Sequence, residues 1–220
     1  GSPIAVAQLG LMGLHLVDTA IVGRVDVTDF AGAAIGRSIA YACFSIALGL
    51  ASALEPLAAQ ALGARAPGEA YSALRSTLAV CVAAWLPMLA LAGLVSLGLE
   101  PLGVEAAVAH KARAFLVGQA GTLLFYGVFM AQKAFLQAHH HTRPALIAVL
   151  ANVVNFVVCN VLVRGDDALA AVGLPPLGLP RLGAFGAGLA SSIASAVLAL
   201  AMAPAVRLHR APAPPHPVPA

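Results

Sequence analysis

Six apolar runs, each near the length needed to cross a bilayer, set what this chain can fold into. A membrane-spanning helix needs about 20 apolar residues to cross a hydrocarbon core of roughly 30 Å. The runs lie at about residues 3–23, 32–63, 73–99, 114–138, 144–163 and 183–206. A transmembrane β-barrel would instead show alternating segments of about ten residues. No period of two is present, and Ala and Leu dominate the runs. The expected fold is therefore all-α: a polytopic transmembrane helix bundle with about six membrane-spanning helices.

Composition agrees. Hydrophobic residues make up 60% of the chain and charged residues 10%, against about 25% charged in soluble domains. The formal charge of +3 is not a nucleic-acid signal, because the basic residues are scattered through short breaks without a cluster. Those breaks are 24–29, 63–69, 100–113, 137–144 and the longer stretch that opens at Arg164. Arg37 is also compatible with a place inside the second run. Counted by side, Lys and Arg divide six against six, so the positive-inside rule does not orient the chain. Residues 1–206 are expected to form the six-helix lobe. Residues 207–220 form a Pro-rich tail, disordered or polyproline-like.

Cys43, Cys81 and Cys159 all sit inside apolar runs. A disulfide framework would place cysteines in loops at paired spacings, so small buried thiols are expected. The first run lacks a basic leader and a hydrophilic mature domain after it, so it does not read as a secretory signal. The start at Gly1-Ser2-Pro3, without Met, suggests processing, a tag or truncation.

Asp18 is the costliest residue in the sequence. A carboxylate at membrane depth costs roughly 2.5–3.5 kcal/mol on insertion scales and by default marks a functional site. Gln8, His15 and Asp18 fall within roughly 80° of one helical face at 100° per residue. His15 and Asp18 are an i,i+3 pair and can touch. Burial would raise the Asp18 pKa and a protonated His15 would lower it. Proton or cation coupling is one reading; polar glue between helices is the other. In the second run, Pro56 removes a backbone donor and is expected to bend the helix, with Glu55 beside it and Gln60 one turn further. Gly32-xxx-Gly36 permits close helix packing. Asn152, Asn155 and Asn160 mark the fifth run, with Asn155 and Cys159 on one face. Ser191, Ser192 and Ser195 give the sixth a small polar face, the usual mark of packing.

His139-His140-His141 does not read as a metal site. Consecutive histidines on a turn do not converge as i,i+4 histidines do, and no carboxylate or cysteine stands near to complete a tetrahedron. The sequence contains no nucleophile elbow, phosphate loop or paired-carboxylate motif. No enzyme and no organic cofactor are expected.

The motifs do resemble a known family. Leu16-Val17-Asp18-Thr19-Ala20-Ile21-Val22-Gly23 resembles the first-helix motif of the MATE (multidrug and toxic compound extrusion) transporters, in particular the DinF-like branch. Ala53-Leu54-Glu55-Pro56-Leu57, closed by Gln60-Ala61-Leu62-Gly63-Ala64, resembles the second-helix signature. The turn from Ala134 through Thr142-Arg143-Pro144 and the stretch Gly183-Ala184-Phe185-Gly186-Ala187-Gly188-Leu189-Ala190-Ser191 are similar to the fourth-to-fifth turn and to the start of the sixth helix.

The resemblance spans about residues 3–206 and implies one lobe of a MATE-type fold. It implies a cation-coupled antiporter in the bacterial inner membrane, exchanging H⁺ or Na⁺ for small organic, often cationic, substrates. Asp18, His15, Asn155 and Ser191 would form the ion- or proton-coupling group. Gln8, Glu55, Gln60 and Cys159 would be substrate-cavity candidates. Family members often carry Asp four residues after the fifth-helix Asn. Here the residue is Cys159, and a thiol is a poor ligand for a hard cation, which favours H⁺ over Na⁺. Family members have about twelve helices in two lobes, so the expectation is a fragment or a half-size chain that pairs with a second lobe or a homodimer partner. A lipid-linked saccharide flippase of the same superfamily and a non-transporting, partner-binding membrane fragment are the alternatives.

Overall fold

The computed structural model describes residues 22–23, 26–139 and 143–209. Among these the secondary structure is helical throughout. In chain order the helices are α1 (Val27–Ser52), α2 (Leu54–Gly63), α3 (Pro67–Leu97), α4 (Ala106–Gly118), α5 (Ala120–Ala138), α6 (Arg143–Arg164), the single turn α7 (Asp166–Ala170) and α8 (Gly183–Leu208). Helices α3 and α8 are each long and apolar enough to cross a membrane, and α4 with α5 passes as one span bent by 44°. The first apolar run lies outside the described residues except for Val22 and Gly23.

Two sequence expectations change in detail. The second run is not one helix, because the chain turns at Ala53 between α1 and α2. Pro56 has no N–H to give the carbonyl four residues back, that of Ser52, and its ring crowds that carbonyl. The interruption therefore falls on the turn before the proline. The fourth span starts at Ala106, not at Ala114. Residues 106–113 look like a loop because His110, Lys111 and Arg113 are polar. In the structure Lys111 pairs with Asp29 at 2.9 Å and Arg113 with Glu100 at 2.9 Å, so the helix carries its charges already matched. Pro87 and Pro204, by contrast, sit inside α3 and α8 without ending them. Arg37 lies within α1, its guanidinium 5.8 Å from the centroid of the Phe115 ring.

Helix α8 packs along α4, α5 and α6, and α1 lies across α4. Small residues set these contacts. A Cβ on Gly36 would meet the Phe115 ring at 2.8 Å and the Ala112 carbonyl at 3.0 Å. One on Gly32 would collide with Lys111 Cβ, so the Gly32-xxx-Gly36 pair does bring α1 onto α4. Gly118 and Gly188 face each other where α4 meets α8. A Cβ on either would overlap a carbonyl oxygen of the other helix, that of Phe185 or of Phe115. In a bilayer, where lipid tails are as apolar as side chains, this backbone approach supplies the packing.

Between α6 and α8, Asp166 gathers the connection. Its carboxylate accepts the backbone N–H groups of Leu177 (3.1 Å), Gly178 (3.0 Å) and Leu179 (3.0 Å). Those bonds, Leu179's foremost, hold the Asp166 pKa below its usual value against a burial effect of opposite sign.

The glycine contacts give a direct stability test. Gly118→Ala or Gly188→Ala overpacks a backbone contact and should lower stability by about 1–3 kcal/mol. Gly63→Ala, whose Cβ would meet nothing within 4 Å, should leave it unchanged. Denaturant-induced unfolding of the purified chain in detergent reads the difference.

Candidate functional site

Of the residues singled out in the sequence, Asp18, His15 and Gln8 lie outside the described residues. Asn155 and Cys159, one helical turn apart on α6, are both fully buried. Cys159 packs with Val163 and with Ala184, Ala187 and Ala190 of α8, in a cluster that includes Val22 and Phe115. The α6 face that bears Asn155 and Cys159 therefore looks onto the small-residue face of α8. Ser191 begins the next turn of α8. Its Oγ donates to the Ala187 carbonyl at 3.2 Å and the residue is half-buried. Glu55 and Gln60 are elsewhere, exposed on α2, and the described residues do not bring them to this cluster.

The neighbouring serine turns out to be the more engaged. Ser192 Oγ donates to the Gly118 carbonyl at 2.7 Å and accepts from the Thr122 N–H at 3.1 Å. Those two groups would bond each other in an unbroken α-helix, N–H to the carbonyl four residues back. The hydroxyl has entered the ladder between them, a recognised cause of a sharp kink. Thr122 Oγ1 lies 3.2 Å from the same oxygen. A Cβ on Gly121 would stand 3.1 Å from Ser192 Cβ, so glycine there spares the approach a tight contact. Trp85 Nε1–H reaches the Ala120 carbonyl at 2.9 Å, which meets another acceptor at the break. The bend between α4 and α5 is thus a built feature that joins α3, α4, α5 and α8.

A second anchor was not legible in the sequence. Asp29, read as part of a loop, lies in the first turn of α1 and is only 6% exposed. Its Oδ1 pairs with Lys111 Nζ at 2.9 Å and accepts the Ala184 N–H at 3.1 Å. Gly183, at φ +51°, admits it: a Cβ there would fall 2.6 Å from Oδ2. The carboxylate sits at the N-terminus of α8, where the macrodipole favours an anion. It fixes where α8 starts and hence the height of Ser191 and Ser192. Its partners lie far away in sequence, on α4 and α8, so no local pattern marks it.

Gln132 on α5, 7% exposed, also went unremarked; its Oε1 is buried without a hydrogen bond among the described residues. A cavity of about 440 Å³ opens between α1, α3 and the α4–α5 break, lined mostly by apolar groups such as Leu89, Ala92, Leu116 and Leu123. None of the sequence-derived candidates lines it. Among the described residues no group of three or more His, Cys, Asp or Glu is placed to hold a metal ion.

Spanning-length apolar helices, close small-residue contacts and exposed leucines on α3 define a polytopic helical membrane protein. A MatE family model matches residues 3–161, and the chain belongs to the MATE family. It is 36% identical over 209 residues to the probable multidrug resistance protein NorM of Rhodopseudomonas palustris, covering 91% of this chain and 40% of that relative. The protein of the same name from Bradyrhizobium diazoefficiens is 35% identical over 210 residues, covering 90% and 42%. Among solved structures, MATE in the bent conformation matches with a TM-score of 0.74 at 16% identity, covering 92% of this chain and 42% of that one. An inward-facing multidrug resistance MATE family transporter of the MOP superfamily matches at 0.68 and 17%, covering 86% and 40%. At these identities the structures speak to the fold. The relatives' names do not specify the DinF-like branch. The chain spans about 40% of the length of these curated relatives.

The two serines should separate cleanly by mutation. Ser192→Ala strands the buried Gly118 carbonyl, while the Thr122 N–H keeps its bond to the Gln119 carbonyl at 2.9 Å, and should cost about 1–3 kcal/mol. Ser191→Ala removes only a bond within its own helix and should cost about 0.5 kcal/mol or less. Parallel unfolding curves of the two variants check this.

Proposed function

We propose that this chain is the N-terminal lobe of a cation-coupled antiporter that exports small organic, often cationic, compounds from the bacterial cytoplasm across the inner membrane. Membership of the MATE family, with relatives named as multidrug resistance proteins, carries this reading. Residues 1–206 form the lobe, with 207–220 as a tail whose first two residues continue α8 to Leu208, and a second six-helix lobe or a homodimer partner completes the substrate pathway. Transporters built from repeats place their sites between the repeats, and the chain's length relative to its relatives fits that arrangement. The protein is a transporter with no enzymatic activity and no organic cofactor.

Asp18 is the proposed proton acceptor, with His15 beside it on the same helix face and Asn155 and Ser191 as hydrogen-bonding neighbours. Two observations support the grouping. Asn155 is buried on the α6 face that meets α8, and Val22, the described residue nearest to Asp18 in sequence, packs in one cluster with Cys159. H⁺ is preferred to Na⁺ because Cys159 offers a soft thiol where a hard cation would call for carboxylate. Gln8, Glu55, Gln60 and Cys159 are the proposed substrate-cavity residues, and the exposure of Glu55 and Gln60 on α2 leaves them free for that use. The flippase alternative has less support, since the apolar runs carry few basic residues.

The test is export of a fluorescent lipophilic cation from vesicles containing the chain together with its second lobe. A pH gradient should drive export in the wild type, and Asp18→Asn should reduce it to background. A Na⁺ gradient alone should drive none. Unchanged export by Asp18→Asn would remove the role given to this carboxylate.

A further inference from the structure

The two ends of the bundle handle their cations differently. At the end formed by the N-termini of α1, α4 and α8, Lys111, Arg113 and Arg181 are ion-paired with Asp29, Glu100 and Asp167. At the opposite end the α2–α3 turn and the C-termini of α5 and α8 surround one apolar cluster, which includes Leu62, Tyr71, Ala138 and Val206. This end carries Arg65, Arg75, Lys133 and Arg207, and none of these makes an ion pair among the described residues. Glu69 is the acid nearest in sequence to this group, and among the described residues it makes no ion pair either. His139 and His209 stack edge to face here, ring centroids 4.7 Å apart, each with Nδ1 on the carbonyl four residues back in its own helix.

Helix C-termini favour cations, which accounts for Arg65 and Arg207. It does not account for Arg75, in the N-terminal third of α3, or for Lys133, half-buried and more than one turn inside α5. A half-buried ammonium on a membrane helix calls for a partner, and among the described residues no carboxylate pairs with it. We infer that this end of the bundle is a docking surface for anionic phospholipid headgroups, with Lys133 as the innermost contact and Arg75 and Arg207 at the rim. A headgroup phosphate supplies the missing anion at the depth where these side chains reach the interface, and the lipid's chains lie against the apolar helix faces. Polybasic surfaces next to membrane spans bind anionic lipid in this way.

The test is native mass spectrometry of the detergent-solubilised full chain, mixed with equal amounts of phosphatidylglycerol and phosphatidylcholine. The wild type should retain phosphatidylglycerol in preference. Arg75→Gln, Lys133→Gln and Arg207→Gln should each lower that preference by about five-fold, while Arg181→Gln, at the other end, should leave it intact. Equal preference in the triple variant and the wild type would overturn the inference, as would equal loss in Arg181→Gln. Complete displacement by inorganic phosphate would overturn the lipid assignment in favour of a free anion. If the triple variant does not fold, the wild type still decides: preference that falls with added salt supports the surface, and salt-independent preference removes it.

Discussion

The close approach of α8 to the α4–α5 break organises much of this lobe. Gly118 and Gly188 let two backbones touch, and the contact brings Ser192 into the hydrogen-bond ladder of the neighbouring span. Packing alone would leave a bent helix with an orphan carbonyl, that of Gly118, in a low-dielectric interior, where an unsatisfied group is expensive. The Ser192 hydroxyl meets it, and the Thr122 N–H is shared between that hydroxyl and the Gln119 carbonyl. The glycines are thus a steric requirement of the serine bond, and the serine bond is the reason the bend is tolerated. Asp29 then sets where α8 begins, so the height of Ser192 relative to the break is fixed by a carboxylate on α1.

What the sequence made legible follows from range. Hydropathy reads segments one at a time; it placed the fifth and sixth runs close to α6 and α8, and it began the third at 73 where α3 starts at Pro67. It shortened the fourth because it scored Lys111 and Arg113 as solvated, when each is matched by an acid on another segment. The bend at Gln119 has no proline to announce it; its cause is a serine on a helix late in the chain. Asp29 looked like a loop acid for the same reason. Ser192 was noticed but weighed with Ser191 and Ser195 as packing, since spacing cannot tell a hydroxyl bonded within its own helix from one that bridges two others. The family resemblance gave the family and the one-lobe fold, which the family model and the solved structures bear out.

The structure also divides the acids by use. Asp29, Glu100 and Asp167 are ion-paired, Asp166 gathers three backbone N–H groups, and Asp26 accepts the N–H of Thr28. A coupling residue has to exchange a proton on every cycle, and a carboxylate engaged in holding helices together would disturb the fold each time it did so. Of the remaining acids, Glu69 lies in the first turn of α3 and Glu105 just before α4, both at the ends of apolar runs. Among the described acids, only Glu55 then stands within an apolar run without an ion pair or a described hydrogen bond; Asp18 lies outside the described residues. Glu55 is exposed on α2, far along the chain from the α6–α8 face where Asn155 and Cys159 are buried. The described carboxylates are thus largely committed to holding helices and turns, and the proposal for Asp18 rests on its depth in the first apolar run and on the family motif around it.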